Sequence, residues 1–208
     1  MPGIPASLYT QRNRRPLAER LGLAPDALPG GGNFHPEEDV LEWLADHVVE
    51  HRPERAVSLG GGLGAVVIAR ALAHAGQGQL WIVEDDLRRM TLTREMLGQI
   101  GAEAVTIDAE LDAYDDHNLW YARHLMRRLP EQIDLLFIDG PGHFAGRAPR
   151  WPAGPELFAR ISEDGAVVLD DGKRVKEKKA LQAWADGFPH LKQKPTRTSG
   201  GAVVLRRD

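Results

Sequence analysis

The sequence predicts an α/β fold: an open parallel β-sheet of about seven strands, helices on both faces, and an antiparallel hairpin at the C-terminal end. Three observations predict it. Between residues 55 and 186, short apolar runs of strand length alternate with longer segments whose apolar residues recur at helical spacing. Glycine or proline punctuates these units, as at Gly76, Gly101 and Pro130. After residue 190 the alternation stops, and two apolar-polar runs flank a polar turn. Repeated β-α units require a parallel sheet with right-handed crossovers; the terminal pair of runs does not fit that scheme and reads as a hairpin.

The elements follow in order. Residues 1–32 are rich in Pro, Gly and Arg and read as an N-terminal arm, with one short helical candidate over 16–22 and a flexible linker over 29–33; the folded domain is expected over 33–208. Val40, Leu41, Leu44, Val48 and Val49 predict a helix over 37–51, with Pro36 and acidic residues at its start and Pro53 ending it. Strand signals cover 55–59, 79–84, 104–108, 133–139 and 166–171. Helical spacing covers 64–75, 87–100, 117–129, 154–161 and 175–186. The run over 133–139, Ile-Asp-Leu-Leu-Phe-Ile-Asp, has the continuous apolarity of a strand buried on both faces. The last two strands are expected over 191–194 and 201–205.

Composition narrows the chemistry. The 208 residues include no cysteine, which excludes disulfides, thiolate metal sites and cysteine nucleophiles. A formal net charge of −4 disfavours non-specific binding to a nucleic-acid backbone. The basic runs Arg12-Asn13-Arg14-Arg15 and 173–179 read first as solvated faces. No apolar run has the length of a membrane span, and the polar, proline-rich beginning does not read as a signal peptide, so a cytoplasmic location is expected by default.

In an open α/β sheet, ligands sit beyond the carboxyl ends of the strands. Read in order, those ends are Gly60-Gly61-Gly62-Leu63-Gly64, Glu84-Asp85-Asp86, Asp108, Asp139-Gly140-Pro141-Gly142-His143 and Asp170-Asp171-Gly172. The glycines let the backbone turn sharply and approach a ligand, and Glu84 stands where a carboxylate can accept the two hydroxyls of a ribose. Asp108 is placed to meet an adenine amino group or to stay at the rim. The plain structural alternative is a tight packing turn with solvated acidic loops.

These residues resemble the class I S-adenosylmethionine-dependent methyltransferases, with their Rossmann-like sheet, over about 36–205. Residues 57–64 resemble that family's first motif, with Ser58 where an acid usually stands to contact the methionine amino group. The run over 134–142 resembles a bacterial subgroup with an Ile-Asp-Gly-Pro signature, followed by an Arg-aromatic-Pro-Ala segment (Arg150 to Ala153) and a Leu-Asp-Asp strand end (Leu169 to Asp171). The resemblance implies S-adenosyl-L-methionine as cofactor, held by Gly60, Gly61, Gly62, Glu84, Asp85, Asp108 and Asp139. It implies a small-molecule hydroxyl as acceptor. By analogy with the catechol-type and sugar O-methyltransferases it also implies Mg²⁺ on Asp139, Asp170 and Asp171, hard oxygen ligands that suit such an ion. His143, four residues past Asp139, is the candidate base by position, with an ordinary pKa near 6.5; Asp139 is the other candidate catalytic residue.

Other readings stay open. Arg150 and Lys173 read as anchors for an anionic acceptor or as surface charge, and Trp120 and Tyr121 as pocket walls or core. Gly60-x-Gly62-x-x-Ala65 also fits an NAD(P)-binding oxidoreductase, although no second catalytic domain follows the sheet. A methyltransferase-like domain that binds without turnover is the non-enzymatic alternative. A homodimer, with residues 1–32 ordered against the second copy, completes the expectations.

Overall fold

The computed structural model describes residues 14–28 and 36–207. The glycine-rich stretch over 29–33 and the first part of the basic run at Arg12 lie outside the described residues. Seven strands form one sheet: β1 (Arg55–Leu59), β2 (Gln79–Glu84), β3 (Val105–Asp108), β6 (Ile133–Ile138), β7 (Ile161–Leu169), β8 (Leu191–Pro195) and β9 (Val203–Arg207). Their order is β3-β2-β1-β6-β7-β9-β8. The first five run parallel, with Leu59 opposite Val83 and Ile138, and Glu84 opposite Asp108. β9 inserts antiparallel beside β7, with Val167 opposite Leu205, and β8 closes the edge. The expected parallel sheet with a terminal hairpin is what forms.

Alternation along the central strands builds two cores. Ala56, Leu135, Phe137, Ala166 and Val168 face one helical layer: α1 (Arg15–Arg20), α2 (Glu38–His51), α3 (Leu63–Ala75) and α4 (Leu87–Gln99). Val57, Leu59, Leu136, Ile138, Val167 and Leu169 face the other: α5 (Arg123–Met126), α6 (Ala153–Leu157) and α7 (Val175–Gly187). Within the segment expected as an arm, Leu17, Ala18, Leu21 and Leu28 are buried and join the first core. Trp184 and Phe158 anchor the second, with ring centroids 5.0 Å apart. No helix among the described residues is long and apolar enough to cross a membrane.

One element departs from the sequence reading. The helix expected over 117–129 is instead the second half of a small hairpin, β4 (Leu111–Ala113) paired antiparallel with β5 (Leu119–Tyr121), followed by the one-turn α5. The cause is a side-chain turn. Asp115 accepts the amides of His117 and Asn118, at 2.7 and 2.8 Å, and the side-chain amide of Asn118. This satisfies the backbone without a helix. Trp120 and Tyr121 are therefore on a strand, each 1% exposed. The helix expected over 154–161 is also shorter, because the chain tightens into a 3-10 turn at Phe158–Arg160 and enters β7 at Ile161, earlier than expected.

Candidate active site

The carboxyl ends of β1, β2, β6 and β7 collect the polar residues. After β1 the backbone bends at Gly60 (φ 105°) and Gly62 (φ 92°), a region that L side chains avoid. A Cβ on Gly60 would lie 3.1 Å from the Gly140 amide nitrogen, so the two loops touch through glycine. Ser58 is fully buried and donates its hydroxyl to the Gly60 carbonyl at 2.7 Å. Ser58 thus braces the turn from within.

Glu84, 2% exposed, ties the second strand end to the glycine turn: Oε2 accepts the Gly61 amide at 2.7 Å and Oε1 accepts the Asp86 amide at 2.9 Å. A carboxylate has about four acceptor positions, so two remain for hydroxyls. The next amide, Gly62, donates to Thr93 Oγ1 at 2.8 Å. A Cβ on Gly62 would meet nothing within 4 Å, so the outer side of this turn is an open cradle. Asp85 beside it is held up to about 6, first by burial and then by the Glu84 charge. Asp108 stands at the rim, where both its oxygens accept from Arg94 Nη2 at 2.9 and 2.8 Å.

Asp139, Asp170 and Asp171 converge: one carboxylate oxygen of each lies within 4.8 Å of the others. Arg150, 5% exposed, organises them. Its guanidinium donates to the Asp139 carbonyl at 2.6 Å, to Asp139 Oδ1 at 3.0 Å and to the Asp170 carbonyl at 2.9 Å. It also lies 3.7 Å from buried Glu177. Arg150 is therefore an internal tie, not the exposed anchor or surface charge of the sequence reading. Asp171 takes a left-handed backbone (φ 59°), which aspartate tolerates better than most residues, and Arg174 pairs with its Oδ2 at 2.6 Å. Asp170 Oδ1 accepts the Asp171 amide at 2.8 Å. Each aspartate thus spends one oxygen on a fixed donor and keeps the other. Burial raises both Asp139, opposed by Arg150, and Asp170, reinforced by its two acidic neighbours.

The turn over 196–201 backs this cluster. Ser199 bonds Asp39 Oδ2 through both its amide and its hydroxyl, Lys173 Nζ donates to the Ser199 carbonyl at 2.9 Å, and a Cβ on Gly200 would lie 3.7 Å from Asp170 Oδ1. A cleft of ≈ 300 Å³ opens in front of the aspartates and also takes in Glu37, Arg89, His143 and Phe144. His143 begins a 3-10 turn (His143–Ala145) that Lys176 Nζ pins by donating to the carbonyls of His143 and Gly146, both at 2.6 Å. Lys173 points instead to the hairpin turn. A larger cavity of ≈ 570 Å³ lies between α2 and the terminal hairpin, but its two histidines, His47 and His51, are occupied by Arg206. The sequence reading missed Arg89, Thr93, Glu177 and Lys176. Only Thr93 carried a signal, lying two helical turns after the Asp86 cap on the side facing the glycine turn.

Residues 57–172 match a family described as a methyltransferase domain. The chain belongs to this methyltransferase family. No curated protein matches it in sequence. The fold is shared with solved methyltransferases. The SAH-bound Podospora anserina methyltransferase PaMTH1 is 14% identical over 100% of this chain and 90% of its own, with a TM-score of 0.64. The Bacillus cereus O-methyltransferase in complex with SAH is 14% identical over 97% and 94%, with a TM-score of 0.63. The Streptomyces achromogenes O-methyltransferase TomG, involved in tomaymycin synthesis and solved with SAM, is 15% identical over 98% and 94%, with a TM-score of 0.60.

Proposed function

We propose that this methyltransferase moves the methyl group of S-adenosylmethionine to a hydroxyl oxygen of a small-molecule acceptor, assisted by Mg²⁺. The observation that carries the reading is the adjacency of two arrangements on one sheet edge. One is the glycine cradle locked to Glu84; the other is three aspartates that each keep one oxygen unspent. The SAH-bound structures of PaMTH1 and the Bacillus enzyme and the SAM-bound structure of TomG support the cofactor, and the last two support oxygen as acceptor.

The cradle fits the cofactor: Gly60 to Gly62 leave room for close approach, and Glu84 retains acceptor positions for ribose hydroxyls. Asp108, at the rim and bound by Arg94, is assigned the adenine edge. When bound, the sulfonium supplies an activated methyl group, and what remains is to align the acceptor and remove its proton. The donor set fits a hard divalent ion, since three carboxylates and Glu177 face Arg150, Arg174 and Arg89, leaving a net charge of about −1. Asp139, Asp170 and Asp171 would hold the ion, which would supply Lewis-acid activation of the acceptor hydroxyl. Arg150 keeps the Asp139 and Asp170 backbones fixed. His143, lining the same cleft with its backbone pinned by Lys176, takes the acceptor proton. Residues 33–208 carry this unit.

Calorimetry with S-adenosylmethionine and with NAD(H) tests the cofactor: binding of the first alone is expected, and binding of NAD(H) alone refutes the assignment. Turnover against a panel of hydroxyl acceptors is expected to fall on adding EDTA and to return with Mg²⁺. Turnover indifferent to EDTA removes the metal from the proposal.

A further inference from the structure

Tyr121 poses a problem that the ligand-free fold does not solve. The residue is 1% exposed, and its hydroxyl has no hydrogen-bond partner. Burying a hydroxyl without a partner is unfavourable, and phenylalanine would fill the same space without that penalty. The hydroxyl lies at the meeting point of two loops of the active site. A Cβ on Gly140 would be 2.5 Å from Tyr121 Oη and 3.2 Å from Gly60 Cα. The position is fixed by the small hairpin, in which Tyr121 pairs with Leu111 and the Ala122 amide donates to the Glu110 carbonyl at 2.9 Å.

The surroundings select the partner. Glu84, Asp85, Asp139 and Arg150 are the charges that act on the phenol, three negative against one positive. Burial keeps it neutral, with its pKa well above 10, so it offers an O–H and acceptor lone pairs. A cationic N–H donor is favoured at such a place. Ser58 is not placed to serve that donor: it is fully buried, and its hydroxyl is turned toward the Gly60 carbonyl. Resting on the cofactor assignment above, we infer that Tyr121 is a binding residue for the amino-acid end of the cofactor: its oxygen accepts a hydrogen bond from the ammonium group, directly or through one ordered water.

The test compares S-adenosylhomocysteine, which carries the ammonium group, with methylthioadenosine, which lacks it. Tyr121→Phe is expected to weaken S-adenosylhomocysteine about tenfold in calorimetry, one charge-assisted hydrogen bond, and to leave methylthioadenosine unchanged. The melting temperature of the ligand-free variant is expected to stay equal or rise, since an unpartnered hydroxyl is removed; a structural role would lower it. Unchanged affinity for S-adenosylhomocysteine, equal weakening of both ligands, or a lowered ligand-free melting temperature overturns the inference. As a second readout on the unsubstituted fold, 3-fluorotyrosine at position 121 should shift its ¹⁹F resonance with S-adenosylhomocysteine and not with methylthioadenosine; identical shifts also overturn it. A wild-type protein that binds neither nucleoside refutes the cofactor assignment itself, an outcome distinct from a variant that binds like wild type.

Discussion

Arg150 grips Asp139 twice, at its backbone carbonyl and at its carboxylate, 2.6 and 3.0 Å from the same guanidinium nitrogen. The pair joins the loop after β6 to the loop after β7, since another nitrogen of Arg150 holds the Asp170 carbonyl. Arg150→Met should therefore leave buried carboxylates without a counter-charge and cost about 3–5 kcal/mol, the range for breaking a buried ion pair. Arg150→Lys should recover little, because one ammonium cannot reach three acceptors fixed for a planar fork. Urea unfolding of both variants measures this, and a lysine variant as stable as wild type contradicts it.

Thr93 acts at one remove from the cofactor. Its Oγ1 accepts the Gly62 amide and donates to the Arg89 carbonyl at 2.7 Å. Thr93→Val keeps the shape and removes the acceptor, so stability should drop by about 1 kcal/mol. Binding of S-adenosylhomocysteine should weaken as well, because the turn loses one of its three side-chain anchors. Thr93→Ser should restore both. Calorimetry and melting curves on the two variants are sufficient.

Divalent-ion binding should depend on pH. Asp139 and Asp170 must be ionised to act as ligands, and burial raises both. Binding then displaces protons, so Mg²⁺ affinity should rise as pH rises, with several-fold weaker binding at pH 6 than at pH 8. Titration calorimetry in buffers of different ionisation enthalpy measures both the affinity and the protons released. An affinity independent of pH argues against these carboxylates as ligands.

His47 gives the fold an acid-sensitive joint far from the aspartates. It stacks between Trp43 (4.7 Å) and His51 (4.1 Å), and Arg206 Nη2 donates to its Nδ1 at 3.1 Å. A guanidinium only donates, so that nitrogen must be unprotonated. Burial, followed by the His51 and Arg206 charges, lowers the pKa from 6.5 to about 3. The unfolded chain therefore takes up this proton below about pH 6.5 and the folded chain does not until about pH 3. The contribution is complete above 6.5 and is lost progressively as pH falls through that window. Between pH 7.5 and 5.5 the loss from this residue should be about 1 kcal/mol. His47→Phe should flatten the urea-midpoint profile over that range.

The sheet was legible because its central strands are apolar on both faces and its helices carry regular stripes; Val57, Leu136 and Val167 could face nothing but core. The strand-end acids were legible for the same reason, since each follows such a run. The hairpin at Leu111 to Tyr121 was not, because Leu119, Trp120 and Leu125 suit a helix as well as a strand and the decision rests on Asp115 capturing its own backbone turn. The Asp-Asp-His-Asn run was the signal that could have shown it. The role of Arg150 is not legible in the sequence, because its partners lie 11 to 27 residues away and only the fold brings them to it. The Trp43-His47-His51 ladder is plain at helical spacing, but its neutral state depends on Arg206, 159 residues from His47.

The bond from Ser199 to Asp39 bears on timing during synthesis. Asp39 begins the first large helix and Ser199 belongs to the final hairpin, and between them they wedge Gly200 against the aspartate pair. A nascent chain that has emerged only through β7 would present that strand as a bare edge and its Asp-Asp loop without a rear wall. Competence to transfer a methyl group would then wait on the β8–β9 hairpin, and a ribosome stalled before Leu191 would hold an idle protein.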